Sequence, residues 1–366
     1  MTIVNARPDV LSSFADIPDE IRRRLATGER VALILLDALG RQLLCRHDDH
    51  PFVRRLQITP LRTQFPSTTT AHVTTVHFGV PVHEHGLYEW NILEPSLDRL
   101  ICPLRFNFAG SDVPQELVGT LDPAVLAPGP TVYETLGVPS LVLHPRPIAG
   151  SAYSRLATRG ATVDSFDRLA EGAAKLVSAL RAANGPAYAF LYWDAVDRVG
   201  HEHGPDSPQF HAAARSALDA LETKLNGLRD TTVLLCADHG QLDVSPERVD
   251  YLDVLWPELP SLLSHRRPAG SSRDAFLHVR AEHVEGVVAG LAERLEDRAR
   301  VLSAAELFDP IGPRLRERLG QVAVLPGPGR QVWLRSAAAN ERWFRGQHGG
   351  LDPAETGTYL AELRRA

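Results

Sequence analysis

Five short stretches place cation-binding or oxygen-activating side chains next to segments built to be buried. In residues 31–40 (VALILLDALG) an apolar run ends in Asp37. A carboxylate at the carboxyl end of a buried parallel strand lies where open α/β sheets bind ligands, although Asp is also a preferred helix N-cap. In residues 65–79 (FPSTTTAHVTTVHFG) a Pro-Ser turn leads into Thr68, Thr69 and Thr70. A hydroxyl at a helix start feels the positive end of the dipole, which favours a developing alkoxide or a bound phosphate. A capping turn or an edge strand fits the same threonines. In residues 192–205 (YWDAVDRVGHEHGP) Asp197 and His201 are four apart, so a helical turn presents both to one ion. A polar surface turn is the alternative there. Asp194 reads as a sheet-end residue and His203 as a bystander.

In residues 231–241 (TTVLLCADHGQ) another apolar strand ends in Asp238-His239-Gly240, where the glycine permits close backbone approach. That pattern favours a general-base or metal role over a structural one. In residues 345–353 (RGQHGGLDP) His348 stands among glycines, in a loop slim enough to wrap an ion or simply face solvent.

The elements that must position these groups follow from periodicity. Residues 31–36, 188–192 and 231–236 are short, β-rich apolar runs and read as buried strands. Residues 167–184 repeat Leu169, Ala173, Leu176 and Leu180 at helical spacing, and residues 210–228 do so with Ala214, Leu218, Leu221 and Leu225. Strands alternating with helices predict an α/β fold: a central, mostly parallel sheet sandwiched by helices. Two regions break the rhythm. Residues 92–150 are proline-rich and irregular; residues 250–340 carry a predicted strand (275–279), helix (284–295) and strand (322–325). No dividing linker is evident, so the expected organisation is one domain over 1–366 with small cap inserts at about 92–150 and 250–340.

Bulk composition narrows the classes. The chain has 366 residues, 44% hydrophobic and 23% charged, the proportions of a globular protein with a large core. A net charge of −6 offers no footprint for general nucleic-acid binding. Three widely spaced cysteines without a CxxC argue against a disulfide framework and for a reducing compartment. The first twenty residues lack a signal-peptide pattern, and no run approaches the roughly 20 apolar residues of a membrane span. The expectation is a cytoplasmic protein with no membrane partner. The lack of a GxSxG elbow removes support for a Ser/His/Asp hydrolase.

An Asp after the first strand, then a Thr turn, DxxxH-xx-GP, DHG and a distal HG resembles, in that order, the alkaline phosphatase superfamily. The likeness is to its nucleotide pyrophosphatase/phosphodiesterase branch and runs from about residue 31 to 353. It implies an alkaline-phosphatase-like fold and a two-metal site, usually zinc, with manganese or iron as alternatives. Carried across, Asp37, Thr69, Asp238 and His239 would hold one metal, and Asp197, His201 and His348 the other. Thr69 is chosen because its span to Gly79 and on to His85-Gly86 matches the family spacing. It would be the nucleophile, forming a phosphothreonine. The implied partner is a small phosphorylated substrate, nucleotides included.

The chain departs from the pattern in two places. The branch usually has an Asn shortly after the HG; here Trp90 holds that place and Asn91 follows, so Asn91 needs a local bulge to bind phosphate. Ala71-His72-Val73 replaces a common Pro-Asn-His run, and His72 reads as a packing residue. Tyr88 and Trp90 are candidates to stack on a base or aryl group, or are structural; Arg273 is a candidate phosphate or carboxylate contact. Thr as nucleophile favours a phosphodiesterase or pyrophosphatase. The alternative is a phosphomonoesterase or phosphomutase, which needs more positive charge. A non-catalytic metal-binding module is disfavoured, since all seven ligand positions hold competent side chains.

Overall fold

Every residue from Val31 to Leu36 is fully buried, because the strand Arg30–Leu36 is apolar on both faces. Val31, Leu33 and Leu35 pack into one hydrophobic cluster, while Ala32, Ile34 and Leu36 pack into a second on the opposite face. Only a sheet covered on both sides accepts such a strand. The computed structural model describes residues 11–337 and 344–364.

Seven strands form the central sheet, in the spatial order Leu56–Arg62, Gly357–Leu363, Thr231–Cys236, Arg30–Leu36, Ala187–Trp193, Ser140–Pro145 and Thr162–Phe166. The last five pair in parallel, while Gly357–Leu363 pairs antiparallel with both of its neighbours. The reversed strand therefore starts at the edge where the parallel strands end. Leu56–Arg62 lies at the rim of the sheet, which accommodates Pro60 because its outer side needs no ladder donor.

Helices cover both faces. Leu169–Ala182 and Pro208–Leu225 bury Leu169, Ala173, Leu176, Leu180, Ala214, Leu218 and Leu221 in the second cluster. Each such leucine contributes about 1.5–3 kcal/mol of transfer free energy. Ile17–Ala26 and Thr69–Phe78 cover the other face through residues such as Ile21, Leu25, Val73 and Val76. The predicted strands and these two long helices are found with ends within about three residues of their predicted positions, and the fold is the expected α/β sandwich.

The two irregular regions resolve differently. The later one builds a three-stranded antiparallel sheet, with Val322–Pro326 between Ala275–Leu277 and Ala299–Ser303, under the helix Val284–Leu295. Its core, including Leu252, Val287, Leu291 and Val324, is a cluster of its own. In the earlier region, Ile92–Glu94, Arg99–Cys102 and Asn107–Phe108 form a small antiparallel sheet. The span 92–150 is not one insert, however: Ser140–Pro145 is an inner strand of the main sheet, with Val142 and Leu143 fully buried. Its prolines and the short turn after it mask that role in the sequence. Residues 1–10, half of the stretch read above for a signal peptide, and 338–340 at the end of the later region lie outside the described residues. Among the described residues, no helix is long and apolar enough to cross a membrane.

Candidate active site

The register of three central strands assembles the first part of the site. Leu36 lies opposite Trp193 and Leu35 opposite Cys236, so Asp37, the 194–201 segment and Asp238-His239 leave the sheet side by side. Glycine lets these exits pack: a Cβ on Gly40 would lie 2.6 Å from Gly240 Cα. The exit after Trp193 becomes the helix Ala195–His203, which puts Asp197 and His201 one turn apart. Gly200 lets that helix approach Gln241, where a Cβ would lie 2.0 Å from Oε1. The reversed strand Gly357–Leu363 brings the preceding loop, with His348, to the same edge.

Thr69 is the first residue of the helix Thr69–Phe78, with Thr68 as its extended N-cap. Thr68 and Thr70 are buried, whereas Thr69 is partly exposed. Its Oγ1 lies 3.5 Å from each oxygen of Asp37 and 3.1 Å from His239 Nε2. The amides of the first helical turn have no intrahelical acceptor, so the hydroxyl sits where a helix attracts anions.

Carboxylates and imidazoles crowd together behind Thr69. Asp37, Asp238 and His239 offer ligand atoms all within 4.8 Å of one another, as do Asp197, His239 and His348. His201 Nε2 lies 3.3 Å from Asp197 Oδ2, and His348 Nε2 3.7 Å from Asp197 Oδ1. His239 and His348 stack with ring centroids 3.7 Å apart. All seven residues proposed from the sequence as ligands are thus in one place.

The tautomers are set from behind. Nδ1 of His201, His239 and His348 faces a backbone carbonyl, of Gly346 at 2.8 Å, Gly240 at 3.1 Å and Ser67 at 3.0 Å. Each Nδ1–H donates there, which leaves the Nε2 lone pair facing the cluster, the usual arrangement of metal-ligating histidine.

The charge balance suits a bound cation. Burial raises the Asp37 carboxyl well above its ordinary range, and the negative charges of Asp238 and Asp197 add to the rise. Asp238 is raised as well, chiefly by burial, and its Oδ2 is buried without a partner. Burial alone would raise Asp197, but His201, His348 and His239 outweigh it and hold its carboxyl low. Burial and the neighbouring His239 push His348 well below the usual imidazole range. Two buried carboxylates and a third that is partly exposed, with aligned Nε2 atoms, fit divalent cations.

Thr69 opens into a cavity of about 310 Å³. The main sheet's exits, the 89–91 bend, the small sheet and the cap all contribute to its wall; Trp90, Asn91, Arg105, Tyr251, Trp333 and His348 are among its lining residues. The 89–91 bend puts both Trp90 and Asn91 on the wall, so the one-residue offset does not exclude Asn91. Asn91 is nearly buried, and its Nδ2 donates to Gly270 O at 3.4 Å.

Other candidates belong elsewhere. His72 is fully buried, its Nε2 accepting from Gln64 N at 2.9 Å and its Nδ1 facing Thr68 O at 2.6 Å, so it packs. Tyr88 is also interior, set edge-on to Phe276, and cannot stack on a ligand. Arg273 contacts a carboxylate, but the protein's own and not a substrate's: it is buried in a two-pronged ion pair with Glu355, at 3.0 and 2.8 Å. Asp194 stands at the N-cap position of the helix Ala195–His203 without a side-chain capping hydrogen bond, and exposed His203 lies off the cavity wall.

Sequence reasoning missed three supporting residues. The Tyr192 hydroxyl donates to Asp37 Oδ2, and Gln241 Nε2 donates to Asp197 Oδ1 at 2.5 Å. Ser67 Oγ donates to Gly350 O at 2.9 Å and accepts from Gly349 N at 3.1 Å, which fastens the His348 loop. Tyr192 and Gln241 stood beside strand-end motifs, the one signal that marked them.

A threonine hydroxyl facing carboxylates and imidazoles, at the carboxyl edge of a doubly covered sheet, suits the hydrolysis of phosphoric esters. The family model for Type I phosphodiesterase / nucleotide pyrophosphatase matches residues 31–351, and the chain belongs to that family. Among solved structures, murine ectonucleotide pyrophosphatase/phosphodiesterase 5, as an inactive variant with AMP, is similar at TM-score 0.69 and 16% identity, covering 91% of this chain and 87% of that one. The human counterpart aligns at TM-score 0.64 and 15% identity, covering 91% and 87%. Phosphonoacetate hydrolase from Sinorhizobium meliloti 1021, with phosphonoformate, aligns at TM-score 0.65 and 17% identity, covering 92% and 90%. Compared by sequence alone, no curated protein matches.

Proposed function

We propose that this enzyme hydrolyses phosphodiesters or nucleotide pyrophosphate bonds through a phosphothreonine at Thr69. The observation that carries the reading is the Thr69 hydroxyl itself: at a helix start, open to the cavity, 3.1 Å from His239 and 3.5 Å from Asp37. Asp37, Thr69, Asp238 and His239 would hold one cation, and Asp197, His201 and His348 the other. His239 lies within ligand distance of both groups, and we assign it to the first because it faces Thr69. The mixed oxygen and nitrogen donors suit zinc, with manganese or iron as alternatives. Two such cations supply Lewis acidity, drawing charge off phosphate oxygens and favouring ionisation of a nearby hydroxyl.

The chain's own residues do the rest. Thr69 Oγ1 loses its proton to solvent, with no dedicated base, and attacks phosphorus. The bond to the leaving arm breaks and the departing oxygen is protonated. Water then attacks the phosphothreonine, and Thr69 leaves with its proton restored; two easier steps replace one hard step. The first-turn amides and Asn91 orient the non-bridging oxygens.

Diester preference over the phosphomonoesterase or phosphomutase alternative rests on the cavity wall. Arg105 is the one Lys or Arg on that wall among the described residues, which is little positive charge for a dianionic monoester, and Trp90, Tyr251 and Trp333 offer surface for an organic arm. The AMP and phosphonoacetate held by structural relatives support a small phosphorylated substrate. Residues 1–366 are read as one catalytic domain because the small sheet and the later cap both wall the cavity. Unpaired Cys45, Cys102 and Cys236 support a reducing, cytoplasmic setting.

Thr69→Ala tests the reading: turnover of a bis-aryl phosphate falls at least about a thousandfold with metal content and fold retained. Turnover within tenfold of the parent removes the covalent mechanism. Faster hydrolysis of a mono-aryl than a bis-aryl phosphate reverses the substrate ranking.

A further inference from the structure

Each of the three carboxylates behind Thr69 has one oxygen already engaged by the protein. The Tyr192 hydroxyl donates to Asp37 Oδ2. Asp238 Oδ1 accepts two backbone N–H groups, from Ala38 at 3.1 Å and His239 at 3.0 Å. Gln241 Nε2 donates to Asp197 Oδ1 at 2.5 Å. The other oxygen of each stands near an imidazole nitrogen. Asp37 Oδ1 lies 3.4 Å and Asp238 Oδ2 3.5 Å from His239 Nε2, and Asp197 Oδ2 lies 3.3 Å from His201 Nε2. Asp197 is divided less cleanly, since His348 Nε2 is 3.7 Å from its engaged oxygen.

The spacing beside Thr69 is that of a small ion's ligand shell. Thr69 Oγ1 lies 3.1 Å from His239 Nε2 and 3.5 Å from Asp37 Oδ1, which puts its separations in the same range as those of His239 from the two carboxylates. Four ligands at about 2.0–2.1 Å from a tetrahedral ion stand about 3.3–3.4 Å from one another. Position alone does not decide which Asp37 oxygen takes part, because Oδ2 is also 3.5 Å from Thr69 Oγ1. The hydrogen bond from Tyr192 does decide it.

We propose that Tyr192 is a positioning residue that makes Asp37 a one-oxygen ligand and so sets the cation preference of the Thr69 site. The inference rests on the two-cation reading of the site and adds what selects the ion. With Oδ2 tied to Tyr192, the site offers four protein atoms: Asp37 Oδ1, Asp238 Oδ2, His239 Nε2 and Thr69 Oγ1. That set suits a four-coordinate ion such as Zn2+, and it is poor for ions that take six or more oxygens. Without the phenol, Asp37 is free to bind through both oxygens, and the coordination number rises.

Tyr192→Phe removes the hydroxyl and keeps the ring. Metal-free parent and variant, each loaded with two Co2+ per chain, are compared by visible absorption, where four-coordinate Co2+ absorbs strongly and higher-coordinate Co2+ weakly. The band is expected to fall by about a third or more in the variant, because one ion of the two gains an oxygen. Competition calorimetry should show the preference for Zn2+ over Mn2+ falling about tenfold. A merely structural role lowers the unfolding midpoint and moves neither readout. An unchanged cobalt spectrum in folded Tyr192→Phe overturns the proposal. If the variant does not fold, X-ray absorption of the zinc-loaded parent decides: a mean of about four N/O neighbours per zinc supports it, and a mean of five or more overturns it. None of these readouts needs turnover. The expected spectral change in protein that hydrolyses no aryl phosphate keeps the role of Tyr192 and sinks the assigned reaction, whereas a parent that binds no Co2+ sinks both.

Discussion

Replacing Arg273 with methionine isolates what the buried ion pair behind the site contributes. Arg273 is 1% exposed and Glu355 fully buried; two parallel hydrogen bonds join them, and Arg273 Nη1 also donates to the carbonyls of Gly327 at 2.8 Å and Arg330 at 2.6 Å. Methionine fills much of the volume but leaves the Glu355 carboxylate buried with no cation and two carbonyls without this donor. Removing one member of a buried pair costs about 3–5 kcal/mol, far more than losing a surface pair. The damage reaches the chemistry because Glu355 also accepts from Gly350 N at 3.0 Å, two residues from His348, and its own carbonyl accepts from Gly240 N at 2.9 Å, next to His239. Urea unfolding of metal-free protein should show the full loss, and metal titration should show weaker binding. Arg273→Met/Glu355→Leu should recover part of the stability, because the second change removes the stranded charge, so the losses are not additive. A single variant within 1 kcal/mol of the parent, with unchanged metal affinity, would refute this account of how the cap braces the His348 loop.

Three further outcomes follow from the geometry. Chelation should abolish hydrolysis and lower the unfolding midpoint, since cations that bind only the folded protein stabilise it by mass action; full activity in protein shown to be metal-free would end the two-cation reading. Gln241→Leu, which deletes the 2.5 Å hydrogen bond to Asp197, should weaken metal affinity about 10–100-fold with activity rescued by excess metal, and an unchanged affinity contradicts it. Glu89, pushed up to about 8 by burial, keeps its proton in the folded state at pH values where the unfolded chain has lost it, so stability falls as pH rises from about 4.5 towards 8, by at most about 1.4 kcal/mol per unit. Glu89→Gln should flatten that decline in urea melts across the range, and an unaltered slope counts against the assignment.

The fold was legible where burial leaves a local pattern. Residues 31–36 and 231–236 are apolar without interruption because both sheet faces are covered, and the Leu169 and Ala214 series repeat at helical spacing because one face of each helix is buried. Ser140–Pro145 and Gly357–Leu363 went unread for the opposite reason: each takes its place from the strands on either side of it, and neither alternates cleanly. The chemistry followed the same division. Asp37, Asp197 and Asp238-His239 were found because they stand directly after strands, and Thr69 because its spacing to later landmarks was recognisable.

By itself, then, the sequence determined which side chains could bind cations, which strands they follow and the order in which they come. Tertiary structure alone decided that Thr69 is partly exposed while Thr68 and Thr70 are buried, that Arg273 faces Glu355 instead of a substrate, and that Tyr192 and Gln241 hold Asp37 and Asp197. The reason is physical: exposure and hydrogen-bond partners are set by whichever elements fold against a residue, and those contacts join positions tens to hundreds of residues apart that carry no mark of one another in the chain.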